Sequence, residues 1–132
     1  MAHQLPVTVD TSHDPLTRMR VYQLATELGP DCFQDATALV ENPITEKVAG
    51  QLYAAVGSIA ANISEGYSRS SGKERAHIFE YALGSVRESM SWYETAKPIL
   101  GDELTTERRN RLEEMRRLLL AIIPRERGKT MK

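Results

Sequence analysis

Apolar side chains return every three or four positions along most of the chain, and that rhythm predicts four helices. Val21, Leu24, Ala25, Leu28, Cys32, Ala36 and Leu39 form the first stripe, which stays in phase across Gly29-Pro30. We therefore expect one kinked helix as far as Val40, opened at Asp14-Pro15 by an acidic cap and a first-position proline. The same opening recurs at Asn42-Pro43, ahead of Ile44, Val48, Leu52, Val56, Ile59 and Ile63. A third stripe carries Phe79, Leu83, Val86, Met90, Tyr93 and Leu100, introduced by the capping-box spacing Ser71-Gly72-Lys73-Glu74 and ended by Gly101. The fourth should run from about Thr105 to Ile123, with Leu112, Met115, Leu119 and Ile122 inward and Pro124 closing it. Four long helices on short links predict an all-α fold, an antiparallel up-down-up-down four-helix bundle over residues 15–124. Residues 1–14 read as an extended arm, and residues 125–132 as a mobile basic tail.

One stretch, SIAANISEGYSR at residues 58–69, sits oddly in this pattern. Gly, Ser and Asn are poor or middling helix formers, yet the apolar period runs straight through them. With the turn centred between Ser70 and Ser71, Gly57 falls level with Gly84, among Ala and Ser on both helices. That predicts a close helix crossing, or close approach by a neighbouring subunit. Beside it Ser58, Asn62, Glu65 and Arg69 form a polar stripe, in which Glu65 can pair with Arg69 or with Arg75. The stripe is either a solvated face or a polar network, within the bundle or between subunits.

The residues Ser58-Ile59-x-x-Asn62-Ile63-x-Glu65-Gly66-Tyr67-x-Arg69, then Glu74, then Ala82-Leu83-Gly84-Ser85-x-x-Glu88, resemble the bacterial four-helix bundle proteins encoded by intervening sequences of 23S rRNA genes. Val21-Tyr22-Gln23-Leu24-Ala25 is similar to the family's first helix, and the resemblance covers about residues 15–124. It implies a four-helix subunit assembled as a ring-like homopentamer, with no enzymatic activity and no cofactor. A related branch, the accessory proteins of diversity-generating retroelements, uses such a ring to bind nucleic acid and a reverse transcriptase.

At 132 residues, 41% hydrophobic and 27% charged, the chain can bury one core without staples. Its one cysteine, Cys32, excludes an internal disulfide and suits a reducing compartment; with no secretory leader and no run long enough to span a bilayer, we expect the cytoplasm and no membrane partner. Glu74-x-x-His77 is half of a di-iron ligand set, but His3 and His13 lie outside the bundle, so no metal is expected and Glu74 reads as a cap. Cys32 reads as a buried apolar residue.

Net charge changes the picture more. Residues 1–104 hold 8 Lys/Arg against 14 Asp/Glu, whereas residues 105–132 hold 9 against 4. Such asymmetry points to an anionic partner. Arg109, Arg116, Arg117, Arg125, Arg127, Lys129 and Lys132 are the candidate nucleic-acid contacts, although Glu113 is placed to neutralise several of them. Arg108 and Arg111 fall near the core side of the same helix. Tyr81 and Trp92 leave the apolar stripe together and, with Gly57, Ser58, Asn62, Glu65, Arg69, Gly84, Ser85 and Glu88, are candidates for a structural or subunit contact. The expected function is a non-enzymatic oligomeric scaffold for RNA, DNA or a nucleic-acid enzyme; a protein adaptor without nucleic-acid binding is the alternative.

Overall fold

The computed structural model describes residues 14–128, and these form four helices: α1 (Arg20–Val40), α2 (Glu46–Tyr67), α3 (Gly72–Leu100) and α4 (Asp102–Arg127). Among the described residues there is no strand and no helix long and apolar enough to cross a membrane. The predicted stripes make one core. Leu24, Leu28, Cys32 and Leu39 of α1 meet Leu52, Val56, Ile59 and Ile63 of α2, Phe79, Val86 and Tyr93 of α3, and Leu112, Met115 and Leu119 of α4, all buried. Burying each large apolar side chain contributes roughly 1.5–3 kcal/mol, which makes this core the chief source of stability.

The helix starts differ from expectation for local reasons. Asp14 does cap, but its Oδ1 accepts from the Leu16 amide at 3.0 Å and opens only a 3-10 turn, Pro15–Arg18. Met19 is extended, and Gln23 Nε2 reaches back to the Thr17 carbonyl at 2.8 Å across the break. α1 then begins at Arg20 and continues through Pro30. Asn42 likewise turns the chain rather than starting α2: its Oδ1 accepts from the Ile44 amide at 2.8 Å, and buried Thr45 donates to the Leu39 carbonyl at 2.7 Å. Ile44 thereby leaves the core and is 87% exposed.

The later boundaries hold better. Ser71 caps α3 by accepting from the Glu74 amide at 3.1 Å, and Gly101, at φ +89°, ends it in a conformation that favours glycine. α4 starts three residues earlier than predicted. It also runs past Pro124 to Arg127, so Arg125–Arg127 are helical rather than tail. Lys129, Lys132 and the arm before Asp14 lie outside the described residues.

The expected crossing of Gly57 and Gly84 does not occur. A Cβ on either would meet nothing within 4 Å, and both residues are exposed. The small side chains that meet are one step on: the Ser58 and Ser85 hydroxyls stand 2.8 Å apart. The crowded glycine is Gly66, where a Cβ would fall 2.8 Å from the Phe79 ring.

Candidate functional site

Three polar groupings stand out against this core. The first is the seam between α2 and α3. Ser85 Oγ receives Ser58 at 2.8 Å and Asn62 Nδ2 at 3.4 Å, and donates to the Tyr81 carbonyl at 3.2 Å. The polar stripe is thus in part a network inside the protomer. Its outer members are satisfied locally: Glu65 pairs with Arg69 at 3.1 Å, Trp92 Nε1 donates to Glu88 at 3.1 Å, and Tyr81 stacks edge-on against His77, with its hydroxyl 3.2 Å from Nε2. Arg75 takes neither route to Glu65; it pairs with Glu126 at 3.1 Å and donates to the Arg69 carbonyl at 3.0 Å.

The second grouping was not foreseen. Asp35, buried on α1, accepts from Tyr93 Oη (2.7 Å) and from Arg108 Nε (2.7 Å) and Nη2 (3.2 Å). Arg111 joins the same cluster through Asp31 at 2.6 Å and Glu107 at 3.0 Å. The Asp35 hydrogen bond and Glu107 raise the Arg108 pKa despite burial. The hydrogen bond from Arg111 holds the Asp31 carboxyl below the usual carboxylate range. Burial and the hydrogen bond to Asp35 push the Tyr93 phenol upward. Sequence signals existed: Asp35 stands beside Ala36 on the apolar stripe of α1, and Arg108 and Arg111 fall on the core side of α4. Nothing in the spacing says that the two meet.

The third grouping is cationic. Arg75–Glu126 and Arg127–Glu80 (2.6 Å) bind the last turns of α4 to the start of α3. Met19, just ahead of α1, and Arg20 of α1 line one cleft with Leu118, Ile122 and Arg125 of α4. The same end of the molecule therefore gathers Arg18, Arg20, Arg69, Lys73, Arg75, Arg125 and Arg127. Arg18, Lys73 and Arg125 are exposed and form no ion pair with another described residue. The opposite end holds Glu41, Glu46, Asp102 and Glu103, also exposed. Acids share the cationic end, where Glu65, Glu126 and Glu80 pair with Arg69, Arg75 and Arg127, and exposed Asp14 and Glu74 stand nearby. What marks that end is its three arginine and lysine side chains without such a partner.

That geometry redistributes the candidate contacts. Arg109 is bound to Glu94 at 2.9 Å and Arg116 to Glu113 at 2.6 Å, so both are neutralised within the chain. Arg117, 4.0 Å from Glu113, is largely exposed. Arg125 and Arg127 stand at the cationic end. Lys73 and Arg18, which the sequence did not single out, join them there because α1 and α3 begin where α4 finishes.

The model of the 23S rRNA-intervening sequence protein family matches residues 17–121, the span of all four helices save the last turns of α4. The chain belongs to that family. No curated protein and no solved structure gives a significant match. The matched span takes in the Asp35 cluster and the Ser58–Ser85 seam, whereas Arg125 and Arg127 lie beyond it.

Proposed function

We propose that this member of the 23S rRNA-intervening sequence protein family is a non-enzymatic scaffold that assembles as a homopentamer in the cytoplasm and binds the backbone of RNA or DNA through its cationic end. The protomer is read as an antiparallel up-down-up-down bundle. In support, residue numbers rise along α3 as they fall along α4 from the pair Arg75–Glu126 to the pair Glu94–Arg109. One observation carries the binding reading: Arg18 ahead of α1, Lys73 of α3 and Arg125 of α4 come to one end exposed and in no ion pair with another described residue. Phosphate contacts release counterions, and several copies in one assembly multiply weak contacts. A nucleic-acid enzyme such as a reverse transcriptase would then share the bound strand.

Affinity for RNA and DNA oligonucleotides, measured against salt, tests this reading. Binding should fall steeply as salt rises and show little sequence preference. Lys73→Gln with Arg125→Gln should weaken binding and reduce the salt slope by about one unit for each lost phosphate contact. Arg109→Gln, at a neutralised pair, should leave it nearly unchanged. Absence of binding at low salt would overturn the reading and favour the protein adaptor.

A further inference from the structure

Among the described residues, four of the eight large apolar side chains left in solvent, the two most exposed included, share one side. Phe33 (57% exposed) and Val40 (54%) lie seven residues apart on one face of α1, with Ile44 (87%) in the following turn. Tyr53 of α2 (46%) packs edge-on against Phe33, ring centroids 5.6 Å apart, which makes the patch continuous across both helices. α2 extends it: residues 48–64 contain no charged side chain, although Gly50, Tyr53, Ala54, Gly57 and Ala61 face outward. A helix without a charged outer face belongs against another element. The α2–α3 seam makes no such demand, because its polar groups are already hydrogen-bonded within the chain.

Charge identifies what covers the patch. Its rim carries Glu41 and Glu46, neither paired with another described residue, against Lys47 as the only cation of α2. The helices neighbour one another in the order α1, α2, α3, α4 and back to α1, so the α3–α4 side lies behind the α1–α2 side. It has the converse make-up. Exposed Leu120 stands within a turn of Arg117, which is largely exposed and only 4.0 Å from Glu113. On α3 exposed Arg87, in no ion pair with another described residue, is level with it, between Glu80 and Glu94 whose α4 partners are Arg127 and Arg109.

We infer that the α1–α2 face centred on Phe33, Val40, Ile44 and Tyr53 docks on the Leu120 side of α3–α4 in a second copy of the chain. An interface between two different faces is heterologous and closes into a ring when the rotation allows. The inference rests on the proposed self-assembly and assigns its contact surface.

Light scattering after size exclusion, without nucleic acid, tests it with full-length chain. The parent should show a multiple of 14.8 kDa. Ile44→Asp and Phe33→Ser should weaken assembly at least about thirtyfold, as for a central apolar contact, with unchanged helical circular dichroism. Glu41→Arg with Glu46→Arg should also dissociate it, and adding Arg87→Glu with Arg117→Glu in the same chain should restore it. A monomeric parent overturns self-assembly and this inference together. An assembled parent that tolerates Ile44→Asp leaves self-assembly standing and overturns the assigned face. Dissociation by the reversed acids without rescue by the reversed arginines overturns the α3–α4 partner surface.

Discussion

Arg108 of α4 grips Asp35 of α1 with two hydrogen bonds, Nε to Oδ2 at 2.7 Å and Nη2 to Oδ1 at 3.2 Å. Tyr93 of α3 donates to the same Oδ2 at 2.7 Å, so one carboxylate joins three helices inside the core. Planar two-pronged pairing suits guanidinium and carboxylate, and it fixes register as well as contributing energy. An apolar core tolerates sliding by a turn better than this cluster does, because a slip would strand a buried charge.

The cluster's energetics follow from that asymmetry. Asp35→Ala takes from the largely buried Arg108 its core partner, leaving only the half-exposed Glu107, and should cost about 3–5 kcal/mol, whereas Tyr93→Phe should cost about 1–3 kcal/mol. Asp35→Leu combined with Arg108→Met should recover most of the loss, since removing both charges also removes their desolvation cost. Urea denaturation of the single and double variants measures all three. A double variant as unstable as Asp35→Ala would show that the loss is not one of uncompensated charge.

The core stripes were legible because burial follows period, and period can be read from one sequence. Leu28, Ile59, Phe79 and Leu119 are buried where the 3.6-residue rhythm puts them. What escaped was set by contacts between distant residues or by competition at a turn. Asp35 and Arg108 are separated by 73 residues, so local spacing cannot announce their meeting. Asn42-Pro43 carries the residues of a helix start, yet the Asn42 side chain satisfies the Ile44 amide in a turn instead. The level of Gly57 with Gly84 was estimated from the turn, and the serines beside them make the contact. Arg109 and Arg116 look like an anion surface until Glu94 and Glu113 are seen to neutralise them.

The three glycines should respond in opposite directions. At Gly66 a methyl group would press on Phe79 at 2.8 Å and on Ile78 Cβ at 3.2 Å, so Gly66→Ala should lose about 1–3 kcal/mol through overpacking. Gly84 lies inside α3 with open space around it, and Gly84→Ala should gain about 0.5–1 kcal/mol by reducing unfolded-chain entropy. Gly57→Ala should match Gly84→Ala within the protomer. Thermal melting checks the order, and a stable Gly66→Ala protein would mean that the Phe79 ring moves aside at little cost.

Cys32 should be inert in the folded protein. It is fully buried, and burial pushes its thiol up to about 11. Thiolate is the reactive form, so neither access nor ionisation favours attack near neutral pH. Labelling with a thiol reagent at pH 8 should proceed only as fast as the protein opens, and should become rapid in denaturant. Fast labelling of the native protein would place Cys32 outside a closed core.

Acid should weaken the α1–α4 junction through Asp31 and Glu107. The hydrogen bond from Arg111 lowers the Asp31 pKa; at Glu107 partial burial raises it, but Arg108 and Arg111 outweigh that and bring it down. A carboxylate whose folded pKa is depressed binds protons more readily once unfolded. Its contribution is complete above the unfolded values, about 3.9 for Asp and 4.3 for Glu, and is lost as pH falls through the lower folded values. Both side chains are about half exposed, at 47% and 51%, so solvent screening limits each to under about 1 kcal/mol. The melting temperature should stay level from pH 7 to about 5 and decline below about 4. Asp31→Asn with Glu107→Gln should melt lower than the parent at pH 7 but lose less on acidification, so the two curves converge toward pH 2. An equal gap between the curves at pH 7 and pH 2 would show that these ion pairs do not sense the protonation of their carboxylates.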